Sequence, residues 1–168
     1  FDPLGDRRSL AVSLAMGAGV AAYNGGTAGV PKLLRTRSNW RVIPTTTGTI
    51  KRTNSLTDFT ENSVSGTTAA LDATVNGDTV YIADGSSVFS GSISGTSVSS
   101  FSTVDTDSLD AVKGRLICGK GPLLFELSSA GAQSEIFTHP NSSWDWVDFC
   151  GGSVGIYCAG HDGLKSEI

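Results

Sequence analysis

The sequence predicts an all-β protein made of four-stranded antiparallel blades, either a β-propeller or an open propeller arc, with a β-sandwich as the alternative. Three observations carry this. Gly, Ser and Thr supply 61 of the 168 residues, while charged residues supply only 17%. A helical bundle or coiled coil would be rich in Ala, Glu, Lys, Leu and Arg instead. Short apolar runs alternate with turn residues along the chain. A pattern of apolar residues and glycines also returns after 36 positions.

The repeat is the strongest signal. Residues 73–102 overlay residues 109–138 without a gap. Val80 falls on Leu116, Tyr81 on Ile117 and Ile82 on Cys118. Gly85 falls on Gly121, Val88 on Leu124 and Phe89 on Phe125. Gly95 falls on Gly131, Phe101 on Phe137 and Ser102 on Thr138. Within the first unit, strands are predicted over 69–75, 79–83, 88–93 and 97–103. The breaks are Asn76-Gly77-Asp78, Asp84-Gly85-Ser86-Ser87 and Ser94-Gly95-Thr96, residues that tolerate the backbone of tight hairpins. In the second unit the breaks are Lys113-Gly114, Gly119-Lys120-Gly121-Pro122 and Ala130-Gly131-Ala132. A third unit has strands over 144–149 and 154–159, then enters another at 165–168. One four-stranded sheet cannot bury both of its faces, so such units stack and share apolar seams.

These readings divide the chain into an N-terminal β-rich segment, 1–68, that could be a divergent blade, and propeller blades over 69–168. The blades are 69–108, 109–143 and an incomplete 144–168. In the first segment, strands are predicted over 9–16, 20–23, 32–36 and 40–43, with a short helix over 8–16 as the competing reading because Ala, Leu and Met favour helix. Residues 44–68 hold few large apolar side chains and are the least defined. The chain starts Phe1-Asp2-Pro3 and stops at an apolar Ile168, so a piece of a longer protein is expected. Residues 9–16 lack the flanks of a signal peptide. No apolar run reaches 18 residues, so no membrane span is predicted.

Charge is uneven. Residues 1–52 hold eight basic and two acidic residues, net +6, and residues 53–168 net −10. A basic front and an acidic rear suit subunit attraction. A chain of net charge −4 without aromatics interleaved among its basic residues does not read as a nucleic-acid binder.

Chemistry is sparse. Cys118, Cys150 and Cys158 are an odd set with no Cys-x-x-Cys pair, so neither a disulfide framework nor a metal site is indicated. Cys118 and Cys158 sit at matching places in successive repeats and read as buried small hydrophobes. A Cys150–Cys158 disulfide across one hairpin stays open. His139 and His161 lie beside turns with no local nucleophile pattern. Asp145 and Asp148 are the best local carboxylate pair, but three residues apart on a regular strand they face opposite sides. Trp144 and Trp146, two apart, share one face as inter-blade packing or as a sugar-stacking platform. The sequence therefore predicts a non-enzyme, with no catalytic, cofactor-binding or metal-ligating residue.

The run Phe137-Thr138-His139-Pro140-Asn141-Ser142-Ser143-Trp144-Asp145-Trp146-Val147-Asp148 leads into Gly155-Ile156-Tyr157-Cys158-Ala159-Gly160, then Asp162-Gly163-Leu164-Lys165-Ser166-Glu167-Ile168. It resembles propeller-type segments of minor tail proteins of actinobacteria-infecting siphophages such as mycobacteriophages. Gly114-Arg115-Leu116-Ile117 with Leu124-Phe125-Glu126-Leu127 is similar to the preceding blade of those proteins. The resemblance covers residues 105–168 well and 69–104 loosely. It implies a structural virion component at the tail tip or baseplate. Its partners would be copies of itself, other tail proteins and a host-envelope glycan, with no cofactor. The alternative from the residues alone is a secreted or surface bacterial propeller that binds or hydrolyses carbohydrate.

Overall fold

The computed structural model describes residues 62–67 and 69–163, with the backbone of four short strands at 32–33, 41–44, 50–53 and 166–167. Four antiparallel sheets follow one another in chain order. The first holds β1 (Lys32–Leu33), β2 (Arg41–Pro44), β3 (Ile50–Thr53) and β4 (Asn62–Val64). The second holds β5 (Asp72–Asn76), β6 (Thr79–Ala83), β7 (Val88–Ser92) and β8 (Ser99–Ser102). The third holds β9 (Ser108–Val112), β10 (Arg115–Lys120), β11 (Leu123–Leu127) and β12 (Gln133–Thr138). The fourth holds β13 (Asp145–Gly151), β14 (Ile156–His161) and β15 (Ser166–Glu167). Each is a meander whose strands pair in sequence order.

Alternation along the strands builds the seams. On β6, Val80 and Ile82 bury toward Val64 of the first sheet, while Ala83 turns to the third sheet and packs with Leu109, Leu116, Cys118 and Phe125. On β10, Leu116 and Cys118 look back to the second sheet, and Ile117 looks forward to Phe149 of the fourth. Each central strand thus contributes apolar side chains to both faces, roughly 1.5–3 kcal/mol for each one fully buried. The result is three separate seams in series, where a sandwich would have one core between two sheets. This is the propeller arrangement.

The first strands β5, β9 and β13 lie side by side, bound across the seams. The Leu109 amide donates to Asp72 Oδ2 (3.0 Å), the Thr74 hydroxyl to Asp110 Oδ1 (2.7 Å), and the Ser108 hydroxyl to the Trp146 carbonyl (2.6 Å). The outermost strand of the third sheet, β12, is exposed throughout. Hairpin chemistry follows the sequence: Lys113 and Gly114 both take positive φ (53° and 79°) at the β9–β10 turn, where Gly bears that backbone without strain.

The first sheet matches the sequence reading in part: β1 and β2 fall on the strands expected over 32–36 and 40–43. β3 (Ile-Lys-Arg-Thr) and β4 (Asn-Ser-Val) fall inside the poorly defined 44–68 stretch, where short, mostly polar strands give little apolar signal. The strands expected over 9–16 and 20–23 lie outside the described residues. No helix among the described residues is long and apolar enough to cross a membrane.

Candidate functional site

Four connecting segments gather at one end of the third and fourth sheets: β8–β9 (103–107), β10–β11 (121–122), β12–β13 (139–144) and the start of β14–β15 (162–163). Hydrogen bonds tie them together. The Asp107 amide donates to the Gly119 carbonyl (3.0 Å), the His139 amide to the Pro122 carbonyl (2.9 Å), and the Trp146 amide to the Gly121 carbonyl (3.3 Å). Trp146 Nε1 donates to the Pro122 carbonyl as well (2.9 Å), so one backbone oxygen anchors both residues. Asn141 Nδ2 donates to Asp162 Oδ2 (3.0 Å) and links the two connectors that flank β13 and β14.

An aromatic cluster forms on this frame. The His139 and Trp144 rings stack 4.2 Å apart at 19°. Trp146 meets Trp144 (5.7 Å) and Phe137 (6.2 Å) edge to face. His139 Nδ1 accepts the Asn141 amide (3.1 Å), and His161 Nδ1 accepts the Gly163 amide (3.1 Å), so both imidazoles stabilise their own turns. The two tryptophans do share a side, as their spacing predicts. Trp144, however, is only 2% exposed and offers no ring face to a sugar. Its Nε1 is buried without an acceptor among the described residues. Phe137, at 47% exposure, and the partly exposed His139 and Trp146 are the cluster members that reach solvent.

Charged groups line the neighbouring connector. Lys120 Nζ lies 2.9 Å from Asp107 Oδ1 and 3.0 Å from Asp105 Oδ1, and these bonds hold its ammonium charged to higher pH than usual. Among the described residues, no group of three or more His, Cys, Asp or Glu side chains is placed to hold a metal ion.

Two sequence expectations are revised by register. A β-bulge at Val147 breaks the alternation between Trp146 and Asp148. Asp145 pairs with His161 and Asp148 with Ala159, so the two carboxylates stand on one face rather than on opposite faces. Cys150 pairs with Tyr157 while Cys158 pairs with Phe149. Those two thiols therefore sit on opposite faces of the hairpin, and all three cysteines are free.

Cys118 is buried in the seam between the second and third sheets, and burial pushes its thiol up to about 12. The thiol is neutral in the folded state where the unfolded chain begins to ionise, near pH 9. Its contribution to stability is therefore complete below about pH 9 and is lost as pH climbs toward 12. We expect Cys118→Ala to flatten the fall in Tm between pH 8 and 10.5, measured by circular dichroism. An unchanged slope would mean the thiol does not drive it.

Sequence reasoning missed one recurrent position. Ala73 pairs with Ile82, Leu109 with Cys118 and Phe149 with Cys158. The residues just before them are Asp72, Ser108 and Asp148. The 36-residue overlay sets Asp72 on Ser108, but a polar position on an inner strand carries no apolar signature.

No family model matches the chain, and no curated protein matches it. Solved structures do. One is YCF48 bound to D1 peptide, at 13% identity and TM-score 0.53, covering 77% of this chain and 50% of that one. PorZ of the Porphyromonas gingivalis type-IX secretion system matches at 8% identity and TM-score 0.45, over 81% of this chain and 20% of that one. BamB from Moraxella catarrhalis matches at 17% identity and TM-score 0.46, over 84% of this chain and 48% of that one. This chain thus spans half or less of the length of each, and its likeness to YCF48 agrees with the β-propeller fold that its stacked sheets display.

Proposed function

We propose that this chain is a non-enzymatic structural β-propeller subunit, specifically a minor tail protein at the tip or baseplate of a phage tail, located in the virion. The observation that carries the reading is how the sequence tract resembling such tail proteins is used. Its residues form β12, the connector, β13 and β14, and its polar side chains are engaged in holding that frame. A tract spent on rigidity suits a scaffold that holds neighbours in place. The fold also accepts protein ligands, since YCF48 was solved with a peptide bound. Contact with an envelope glycan, where the tail role includes it, falls to Phe137 and Trp146.

The test is immunogold labelling of tailed particles with antibody raised to this chain, alongside mass spectrometry of the purified particles. Label at one end of the tail and recovery of the peptide in particles are expected. A chain found free and absent from all particles overturns the tail assignment. A glycan array then decides the alternative carbohydrate-binding reading, with Phe137→Ala and Trp146→Ala as the informative variants.

A further inference from the structure

We propose that Asn76-Gly77, at the turn between β5 and β6, is a self-modifying site: the asparagine cyclises onto the glycine amide and loses ammonia, and the product cuts a hydrogen bond that joins the second and third sheets. This chemistry is independent of where the chain resides.

Alternate residues of β5 form a polar ladder across the seam. The Leu109 amide donates to Asp72 Oδ2 (3.0 Å). The Thr74 hydroxyl donates to Asp110 Oδ1 (2.7 Å) and accepts the Ala111 amide (3.1 Å). Asn76 Nδ2 donates to the Gly114 carbonyl (3.1 Å). These three side chains are two residues apart, so they leave the strand on one side, while Ala73 and Val75 between them pack into the preceding seam. Asn76 is the last rung, and it ties the β5–β6 turn to the β9–β10 turn. Of the three, only this rung is made by a primary amide, the group that can be lost as ammonia.

Asn76 pairs with Thr79, so Gly77 and Asp78 form a two-residue turn. Gly77 takes φ +60°, is exposed, and has no atom within 4 Å of the Cβ it lacks. Among the described residues, its amide donates no hydrogen bond. The nucleophile is therefore free, reached by water and unshielded by a side chain of its own. Asn141 is the contrast. Its Nδ2 is held by Asp162 Oδ2 (3.0 Å), its Oδ1 accepts the Ser143 amide (3.0 Å), and a serine follows it instead of a glycine.

Only water and base are needed. Hydroxide takes the proton of the Gly77 amide, and the nitrogen attacks Asn76 Cγ. The new N–Cγ bond closes a succinimide ring as the Cγ–Nδ2 bond breaks. Nδ2 leaves as ammonia by taking a proton from water, which regenerates hydroxide. Water then adds to either imide carbonyl and opens the ring. Breaking the bond to Cγ leaves an aspartyl residue, and breaking the backbone bond leaves an isoaspartyl linkage. In both products a carboxylate replaces the amide, and an ionised carboxylate only accepts hydrogen bonds. It cannot bond the Gly114 carbonyl, and it adds a second negative charge beside Asp78. The last rung is lost.

The test incubates the purified native chain for days at mildly alkaline pH in water enriched in oxygen-18, followed by peptide mapping with mass spectrometry. The peptide carrying Asn76 should convert several-fold faster than the one carrying Asn141 and gain one heavy oxygen from the solvent. Asn24-Gly25, outside the described residues, is mapped separately. Conversion should slow at mildly acidic pH and stop on this timescale in Asn76→Gln. Asn76→Asp reproduces one product without ageing, and in it hydrogen exchange should quicken several-fold at the turn-proximal ends of β5 and β9. Asn76 that converts no faster than Asn141 overturns the site. Native exchange at both strand ends in Asn76→Asp overturns the loss of the rung. A chain that ages at Asn76 but is absent from every tailed particle would keep this site and lose the tail assignment.

Discussion

Trp144→Ala should destabilise the protein by about 3–5 kcal/mol, the usual cost of removing a buried aromatic ring. The ring is 2% exposed, stacks on His139 and packs against Gly160, where an added Cβ would lie 2.3 Å from Nε1. Deleting it opens the connector between the third and fourth sheets and unseats Trp146, whose ring leans on it. In a domain of this size the loss corresponds to a Tm drop of roughly 6–20 °C, read by thermal circular dichroism. Trp144→Phe should behave differently. It keeps an aromatic stack and removes a buried N–H that lacks an acceptor among the described residues, so it should stay within about 1 kcal/mol of the native chain. Equal losses in the two variants would mean that Nε1 is engaged after all. A Trp144→Ala melt within a degree or two of native would show that the ring is not what pins the connector.

Gly119→Ala is the second large effect. A methyl group there would lie 2.5 Å from Trp146 Cβ and 2.7 Å from Ser108 Oγ, distances that side-chain carbons do not tolerate. Both obstacles are close to backbone, one on β13 and one on β9, so neither can swing aside. The third and fourth sheets must part, at a cost of about 1–3 kcal/mol or more for overpacking. We expect the Tm to fall by roughly 2–12 °C and Trp emission to shift to the red as Trp146 gains solvent. Gly155→Ala is the matched control, because no atom lies within 4 Å of its added Cβ and its φ is not positive. It should change stability by less than about 0.5 kcal/mol. A Gly119→Ala protein as stable as this control would refute the tight approach of the two sheets.

Much of the fold is legible in the sequence because successive sheets solve the same burial problem with the same spacing. Ile82 and Cys118 occupy equivalent places on β6 and β10, each facing the preceding sheet, and the 36-residue spacing alone sets one on the other. The second and third sheets follow from that overlay. The first does not, since β3 and β4 are short strands with little apolar content; Val64 is its one described side chain, and it is buried. The bulge at Val147 was equally out of reach. It is a property of pairing between two strands, and a single strand read alone shows only regular alternation. That one residue moves Asp148 onto the face of Asp145 and so changes the electrostatics of a whole sheet surface. The site was visible only as residue types: Trp144 and His139 stood out, but whether a ring is a platform or a plug depends on what lies above it.

The serial seams have a consequence for how the protein comes apart. Each sheet touches only its neighbours, so the arc is a short one-dimensional chain of coupled units, with local stability rising from the ends toward the middle. The second and third sheets are each clasped on both sides, through Val80 and Ala83 in one and Leu116 and Ile117 in the other. Their amides should exchange with solvent last. The first and last described sheets have a described neighbour on one side only; where nothing else packs on them they should open first, exposing strand edges able to pair with another chain. Whatever packs over those two sheets therefore also guards the protein against aggregation.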